Sequence, residues 1–573
     1  MVDERSQESK ERLFLGEKER YFAKQVDFKL IPGSPFAYWV NHRVFDIYRE
    51  NTGRILDFVQ SEGKNVTTNN AKYILCYWEV DNTKIGVFDR KWLACAMGGE
   101  YRKWYGNIVH VIDWSDSARM FYRTTPAGRI IREEFWRMAG VTWGKIGTGA
   151  PSFRLLREDQ MYQETAILQH NKKDTLLALA LLNSKVSLYF LSFLSPTINF
   201  QLQDICAIAV PTFDKDTENE ILNLCDKCIS LTRIDWNQRE ISMEFKTLPI
   251  VENSKRYRTI SRAYEEYKQE TQKYIFELKK YEEDLNQAII TSYELEKEID
   301  ETVPLDFISI KTNSVETTIK ELISYAVGCM FGRYSLDVEG LAYAGGDWNE
   351  AYATKYKTFM PDADAIIPIT DEEYFKDDIV ARFVDFIRIV YGEETLEENL
   401  KFIADALGNK GDTPRAVIRN YFLNDFYKDH CNTYSVTGSG KRPIYWLFDS
   451  GKQNGFKALI YIHRYTPDTV GLIRSVYLHN VQAAIQNSLQ NSEYIISTTT
   501  SATERARETR KKDKYVKQLN ELRPYYQALS HIALQRIPMD LDDGVKKNYQ
   551  LFQGVEVSTE GKKKQTIDLL AKI

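Results

Sequence analysis

Side chains that can contact nucleic acids are concentrated between Arg102 and Lys145. Arg and Lys can neutralise phosphates or donate to guanine, Asn and Gln can pair with adenine, and aromatic rings can stack on bases. A solvated positive surface above a core of aromatic rings would have the same composition, so both interpretations stay open. The stretch includes Arg102, Lys103, Trp104, Tyr105, Asn107, Arg119, Arg123, Arg129, Arg132, Trp143 and Lys145.

Motifs for other common chemistries are missing from the sequence. It has no P-loop, no dinucleotide-binding Gly-rich fingerprint, no His-Glu-x-x-His and no Gly-x-Ser-x-Gly. Cys225 and Cys228 form a Cys-x-x-Cys pair, but a structural zinc site needs four ligands and no second pair follows at a suitable spacing. Their apolar neighbours indicate buried structural cysteines. We therefore expect no metal site and no catalytic residue.

The overall composition is that of a folded protein with an ample core. The 573 residues are 43% hydrophobic with 15 Pro and 29 Gly, which excludes collagen-like and disordered chains. A net charge of −5 excludes a uniformly basic surface, so any nucleic-acid contact must be local. Seven Cys do not make a disulfide framework, and the charged N-terminus lacks the apolar stretch of an export signal. We expect a cytoplasmic protein.

The segment Thr175–Leu194 is nearly long and apolar enough to be considered as a membrane span. Asn183, Ser184 and Lys185 lie at its centre, and a central Lys alone opposes insertion by about 2.5–3.5 kcal/mol. The segment is better explained as a buried helix that ends at Ser195, because the residue before a proline disfavours helical geometry. We expect no membrane association.

The pattern of elements predicts a multi-domain α+β protein. Strand-forming residues at Tyr73–Val80 and Asn107–Trp114 indicate a β-rich region, and long helical stretches and a mixed α/β region follow it. The expected divisions are an N-terminal segment at 1–54, the β-rich domain at 55–215, a helical spacer at 216–300, a mixed α/β domain at 301–480 and a helical tail at 481–573.

The clearest periodicity lies between Tyr264 and Ile299. Apolar or aromatic residues alternate at spacings of three and four, which predicts a long coiled-coil-like helix. Thr271 and Ser292 weaken the series, so we expect this helix to pair with another helix of the chain or of a complex rather than to form a strong free dimer.

Local signals predict several elements nearer the C-terminus. Thr413 and Pro414 supply an N-cap and a first helical residue for a helix over 415–426. The segments 444–449 and 456–463 flank a turn-rich linker and indicate a β-hairpin. Ser501 and Glu504 form a capping box that opens a helix with basic first turns, and Pro524 is expected to kink or restart that helix. The segments 375–390 and 396–407 are predicted as amphipathic helices.

Several short strings of residues resemble a known protein family. Residues 103–107 (KWYGN), 140–146 (GVTWGKI), 181–186 (LLNSKV) and 199–205 (NFQLQDI) resemble the specificity half of large adenine-specific DNA methyltransferases. Uncommon strings further along, including SYAVGCMFGRYSLD and IPMDLDDGVKKNY, occur in an order similar to that of the methyltransferases of BREX phage-defence systems. The resemblance covers nearly all of the chain.

That resemblance implies an N-terminal catalytic domain that uses S-adenosylmethionine, followed by a target-recognition region. The catalytic domain of such enzymes carries a Gly-rich cofactor loop and an Asn/Asp-Pro-Pro-Tyr/Phe motif, and this sequence contains no Pro-Pro dipeptide. We therefore expect the chain to begin just after that domain, as a split or truncated product or a spare specificity cassette, without a complete methyltransferase Rossmann-like domain. Where relatives tend to read Gly-Leu-x-Thr-Gly, this chain has GKNVTTNN at 63–70.

Seven residues are candidates for DNA contact. The expected phosphate contacts are Lys103, Arg123 and Arg129. The expected groove-facing residues are Trp143, Lys145, Asn199 and Gln201. For Asn199 and Gln201, capping of the buried helix and its following loop is an equally good explanation.

The functional expectation is sequence-selective binding of double-stranded DNA. Methyl transfer to adenine would need the catalytic half in cis or in trans, so the chain alone is expected to bind no cofactor and to transfer no methyl group. Other BREX proteins are further candidate partners. The alternatives are a structural scaffold that docks defence proteins through 301–573 and its coiled-coil helices, and a silent gene fragment.

Overall fold

The computed structural model describes residues 6–16, 21–50, 53–61, 63–145, 149–163, 166–169, 171–197, 199–349, 354–558 and 564–573. They form a mixed α/β protein that is about 50% helical and 11% strand, with several small sheets. The mixture of helices and sheets agrees with the predicted fold class, although helices outweigh strands. Of the strings quoted above, GVTWGKI ends at Ile146, which lies outside the described residues.

Two sheets lie in the region predicted to be β-rich. One has Ile74–Cys76, His110–Asp113, Trp92–Ala96 and Ile85–Gly86 in spatial order, with Met161–Tyr162 parallel to Trp92–Ala96. The other is antiparallel, in the order Phe153–Leu156, Ala139–Trp143 and Ala166–Gln169. Both predicted strands are confirmed as shorter elements that pair antiparallel, with Leu75 opposite Val111. Gly53–Arg54 pairs with Ala209–Val210.

The helices around these sheets are mostly short. The N-terminal region contributes Gln7–Leu15, His42–Arg49, Ile55–Phe58 and Asn70–Tyr73, and the sheet region contributes Asp116–Thr124 and Leu202–Cys206. His42–Arg49 begins at Asn41, whose side chain accepts a hydrogen bond from Arg43 N. This cap satisfies one backbone N–H that the helix start would otherwise leave unpaired.

The buried helix predicted at 175–194 is two helices, Lys172–Asn183 and Lys185–Leu194, whose axes are bent by 70°. Ser184 causes the break, because its backbone is extended and its hydroxyl accepts from Ser187 N to cap the second helix. Among the described residues, no single helix is long and apolar enough to cross a membrane, and this bent pair meets that test by length and composition only.

The long periodic helix spans Ile260–Tyr293 and packs against the helix Lys215–Asn237 of the same chain. The predicted pairing with another helix of the chain is therefore confirmed. The predicted extent to Ile299 is wrong, because Glu294 adopts a left-handed conformation (φ 56°) that ends the helix. The short helix Pro249–Asn253 precedes it.

The C-terminal half contains an antiparallel sheet in the order Ile366–Pro368, Lys457–Tyr461 and Tyr445–Asp449. The last two strands are the predicted hairpin. The predicted N-cap is also confirmed, because Thr413 Oγ1 accepts from Ala416 N, 3.2 Å away. The helices of this part are Val315–Met330, Ile379–Tyr391, Leu396–Ala406, Pro414–Asn424, Phe426–Thr433 and Thr469–Leu472.

The chain then forms an antiparallel pair of helices, His479–Thr498 and Ala502–Gln535. Ser501 caps the second helix as predicted, with its hydroxyl accepting from Glu504 N. Of the kink or restart expected at Pro524, the restart is wrong, because the helix continues through this residue, and the kink stays a prediction. The neighbouring side chains of Leu522 and Tyr525 are buried. The remaining elements are Gly544–Gln550, the hairpin of Val555–Val557 and Gln565–Ile567, and the small hairpin of Ser435–Val436 and Gly440–Lys441.

Candidate nucleic-acid interface

A cleft of about 650 Å³ lies between the sheet region and the C-terminal half of the chain. One wall comes from the loop that begins at Gly63, the turn Gly98–Gly99 and the end of strand Ala139–Trp143. The other wall comes from the tip of the 435–441 hairpin and from helix Gly544–Gln550. Among the described residues that line it, every charged one is a cation: Lys64, Lys145, Arg442 and Lys546.

Lys64 is held at the cleft by the residues on either side of it. Gly63 has φ 90°, a left-handed conformation that favours glycine. The buried side chain of Asn65 donates from Nδ2 to Tyr162 O at 2.8 Å and accepts from Ile131 N at 3.0 Å. Because its neighbour is fixed in the core, the exposed Lys64 side chain starts from a well-defined position at the rim.

Lys145 follows the strand Ala139–Trp143, and its position is fixed by the 199–201 loop. Its carbonyl accepts from Phe200 N at 2.9 Å. Two residues earlier, Trp143 Nε1 donates to Phe200 O at 3.0 Å. These two bonds tie the strand end to the loop and leave the Lys145 side chain exposed at the cleft.

The opposite wall is a glycine-containing turn. Gly438 and Gly440 have φ 81° and 78°, so the tip of this hairpin is built on left-handed residues. Ser439 Oγ lies 3.3 Å from His110 Nε2, which connects the tip to the five-stranded sheet. Lys546 lies beside the turn, since a Cβ atom on Gly440 would be 3.6 Å from its Nζ.

A buried carboxylate joins the two walls. Glu79 accepts from Cys76 N at 2.9 Å and from Val545 N at 2.7 Å, and its Oε1 lies 3.3 Å from Arg442 Nε. Burial raises the pKa of Glu79, and Arg442 and the two N–H donors oppose that rise. Burial, and to a lesser extent the charge of Arg442, lowers the pKa of His110 to about 4. At neutral pH His110 is therefore an uncharged hydrogen-bonding group at the cleft.

Two members of the basic cluster are interior structural residues. Lys103 is buried and forms an ion pair with Glu282 of the long helix, and Trp104 Nε1 donates to the other oxygen of that carboxylate at 2.7 Å. Arg102 is also buried and donates to Asp235 at 2.7 Å. The expected phosphate contact of Lys103 is therefore not available in this conformation, because its ammonium group is enclosed and paired.

The other two predicted phosphate contacts are on the surface. Arg123 is exposed and pairs with Glu133 at 2.9 Å, and it does not line the cleft. Arg129 is exposed beside the cleft, since its guanidinium would lie 3.0 Å from a Cβ atom on Gly63. Its backbone also exchanges two hydrogen bonds with Val66, which fixes the loop of Lys64.

The predicted groove-facing residues divide in the same way. Lys145 lines the cleft, whereas Trp143 is completely buried and cannot face a groove in this conformation. The carbonyl of the half-buried Asn199 accepts from Ser195 Oγ at 2.8 Å, and both the groove contact and the capping role of its side chain stay predictions. Gln201 is exposed, makes no side-chain cap bond, and immediately precedes Leu202 of the cleft.

Comparison with curated proteins identifies relatives of this chain. It is 36% identical over 588 aligned positions to "Adenine-specific methyltransferase PglX" of Lacticaseibacillus casei (strain Zhang), an alignment that covers 96% of this chain and 47% of that protein. The corresponding values for "Adenine-specific methyltransferase BrxX" of Escherichia coli O9:H4 (strain HS) are 34% over 567 positions, 92% and 45%. This chain is homologous to PglX and BrxX. It spans about half the length of these relatives. No family model matches the sequence.

Sequence reasoning missed three of the four cleft cations: Lys64, Arg442 and Lys546. They lie in segments far apart in the chain, and nothing local shows that these segments meet. The sequence gives one weak indication of cleft lysines: a glycine directly precedes the lysine at Gly63-Lys64 and at Gly144-Lys145, as is typical of loops.

The cysteine pair is buried as expected. Cys225 and Cys228 are both fully enclosed, and Cys225 Sγ lies 3.4 Å from Leu176 O. Burial raises the pKa of both thiols. Within the described parts of the chain, no group of His, Cys, Asp or Glu side chains could hold a metal ion.

Proposed function

We propose that this chain is the DNA-specificity portion of a BREX-type adenine-specific methyltransferase and that it holds double-stranded DNA at the cationic cleft. The observation that carries the proposal is the charge of the cleft: its described charged lining residues are all cations. The homology to proteins named adenine-specific methyltransferases supports DNA as the ligand.

The charges at the cleft are available for binding. Lys64, Lys145 and Lys546 are exposed, and none forms an ion pair with a carboxylate of the described residues. The region 55–215 carries 19 Lys and Arg against 16 Asp and Glu, although the chain as a whole has a net charge of −5. This region therefore has a small positive surplus, and Arg442 and Lys546 of the C-terminal half add to the positive charge at the cleft, as phosphate binding requires.

The size of the cleft indicates how a duplex would lie. A volume of about 650 Å³ is too small to enclose a duplex, so we place a segment of one sugar–phosphate strand in it. Hydrogen bonds to the bases would then come from uncharged polar side chains at the rim, and we propose Asn70, Gln201 and Ser439 as these residues. Arg129 is placed on a neighbouring phosphate.

Catalysis is assigned to a separate module. Because the chain spans about half the length of its relatives, the other half of such a protein is available to bind S-adenosylmethionine and to receive the adenine. We propose that the module acts in cis or in trans and that this chain alone transfers no methyl group. Transfer of a labelled methyl group from S-adenosylmethionine to DNA by the purified chain would contradict this assignment.

The test of DNA binding is a salt titration of the affinity for a labelled 30-bp duplex, measured by fluorescence anisotropy. Each phosphate contact contributes about 0.9 to the slope of log K against log salt concentration. The triple variant Lys64→Gln, Lys145→Gln, Lys546→Gln is expected to lower that slope by about 2.7. The matched control replaces Lys280, Lys297 and Lys401, which are exposed and lie outside the cleft. Equal slopes in the two triple variants would refute the proposed site.

A protein-docking role is favoured by one observation, which lies outside the 301–573 region of the scaffold hypothesis. Several large apolar side chains of the N-terminal segment are exposed: Phe14, Leu15, Tyr21, Phe22, Val26, Phe36 and Tyr38 are each more than half exposed. Apolar surface of this kind is typical of a site that binds another protein. The long helix of the scaffold hypothesis is less suited to this role, because its apolar face is occupied by Lys215–Asn237.

A further inference from the structure

The antiparallel helices His479–Thr498 and Ala502–Gln535, here called the arm, carry a basic sequence that the cleft does not use. At the end where they are joined, Ser492 Oγ donates to the buried Glu508 at 3.0 Å. Further along, Val481, Ile485 and Tyr515 are buried. The arm therefore has its own packed interior, and its outer surface is available for another role.

Cations form a stripe along one face of the second helix of the arm. The stripe consists of Arg507, Arg510, Lys511, Lys514 and Lys517. The last four follow Arg507 by three, four, seven and ten residues. At 100° and 1.5 Å per residue, the five side chains therefore lie within an arc of about 120° and along about 15 Å of the helix axis. All five are exposed.

Part of this charge is not neutralised within the chain. Arg507 pairs with Glu504 and Glu508, Lys511 also pairs with Glu508, and Lys514 pairs with Asp371. Arg510 and Lys517 have no carboxylate partner among the described residues. The stripe thus keeps a surplus of positive charge.

We propose that this stripe binds the backbone of double-stranded DNA at a second position outside the cleft. The inference rests on the proposed function, since it uses the same ligand. A straight row of cations matches a linear polyanion, and DNA-binding surfaces are rich in Lys and Arg. Protein interfaces have an apolar centre and are poor in Lys, whereas the large apolar residues exposed on the arm, such as Tyr494 and Val516, are few. Because phosphates are contacted, the arm adds affinity without selecting sequence.

The test is the double variant Arg510→Gln, Lys517→Gln in the full chain, with the 30-bp duplex and the salt titration described above. Loss of two phosphate contacts is expected to lower the slope by about 1.8 and to weaken binding equally for duplexes of unrelated sequence. The control variant Lys297→Gln, Lys401→Gln has the same change of charge and is expected to keep the wild-type slope. Both Arg510 and Lys517 are exposed, so the unfolding midpoint should stay unchanged.

Charge reversal provides the second variant. Arg510→Glu, Lys517→Glu is expected to weaken binding further than the glutamine pair. If both arm variants bind DNA with the wild-type slope while the cleft variant does not, the arm inference is wrong and the proposed function stands. If arm variants that bind DNA normally lose binding to poly-glutamate, the stripe docks an acidic protein and the inference is also overturned. If the wild-type chain binds no duplex, both proposals fail.

Discussion

The buried ion pair between Lys103 and Glu282 allows the two roles considered for Lys103 to be separated. The side chains are only 9% and 2% exposed, and Trp104 Nε1 donates to the same carboxylate. Lys103→Met would leave a buried carboxylate without its cation. Breaking a buried pair in this way typically destabilises a protein by about 3–5 kcal/mol. If Lys103 instead contacted phosphate, the same substitution would change DNA binding and leave stability nearly unaffected.

The control is the double variant Lys103→Met, Glu282→Gln. It removes both charges and keeps an acceptor for Trp104, so most of the lost stability should return. Stability is measured as the urea midpoint of tryptophan fluorescence, and DNA binding as the slope of the salt titration. A loss of less than about 1 kcal/mol in Lys103→Met, together with a decrease of about 0.9 in the slope, would refute the structural role.

Three further predictions concern pH, a loop and a helix. The pKa of His110 is about 4 in the folded state, below its ordinary value of 6.5. As pH falls from 6.5 toward 4, the imidazole is protonated in the unfolded chain but not in the folded one, so the free energy of unfolding decreases. In His110→Gln, the decrease in unfolding free energy between these pH values should be smaller by about 3 kcal/mol, as measured by urea unfolding at each pH. Gly63→Ala should weaken DNA binding in the anisotropy assay, because the residue has φ 90° and its new Cβ would lie 3.0 Å from the Arg129 guanidinium; wild-type affinity would contradict this. Pro524→Ala should raise the thermal unfolding midpoint, because it restores a backbone N–H donor in a continuous helix, and a lowered midpoint would contradict that account.

The parts of the fold that were predictable have local causes. The cap at Thr413 and the hairpin of Tyr445–Asp449 and Lys457–Tyr461 are specified by a few adjacent residues, and both are confirmed. The long helix was recognisable because its apolar spacing continues over many turns. Its end at Glu294 was not, because a left-handed residue other than glycine gives no clear signal in a sequence.

The candidate site was much harder to predict, because exposure depends on distant residues. Lys103 and Lys145 look alike in sequence. They differ because Lys103 is buried and paired with Glu282, whereas the side chain of Lys145 lies at the surface of the cleft. The second wall of the cleft depends on Glu79 meeting Arg442 and Val545, contacts that join segments more than 360 residues apart. No local pattern predicts such contacts. The resemblance to BREX methyltransferases predicted a DNA ligand, but it did not indicate which cations line the cleft.

The position of duplex DNA at the cationic cleft can be tested by hydrogen–deuterium exchange of the full chain, with and without a saturating 30-bp duplex. If DNA lies in the cleft, exchange should be slower at residues 63–71, 97–99 and 437–442 when DNA is bound, with no change in helix Leu396–Ala406. Unchanged exchange at all three cleft segments in the presence of bound DNA would contradict this position of the DNA.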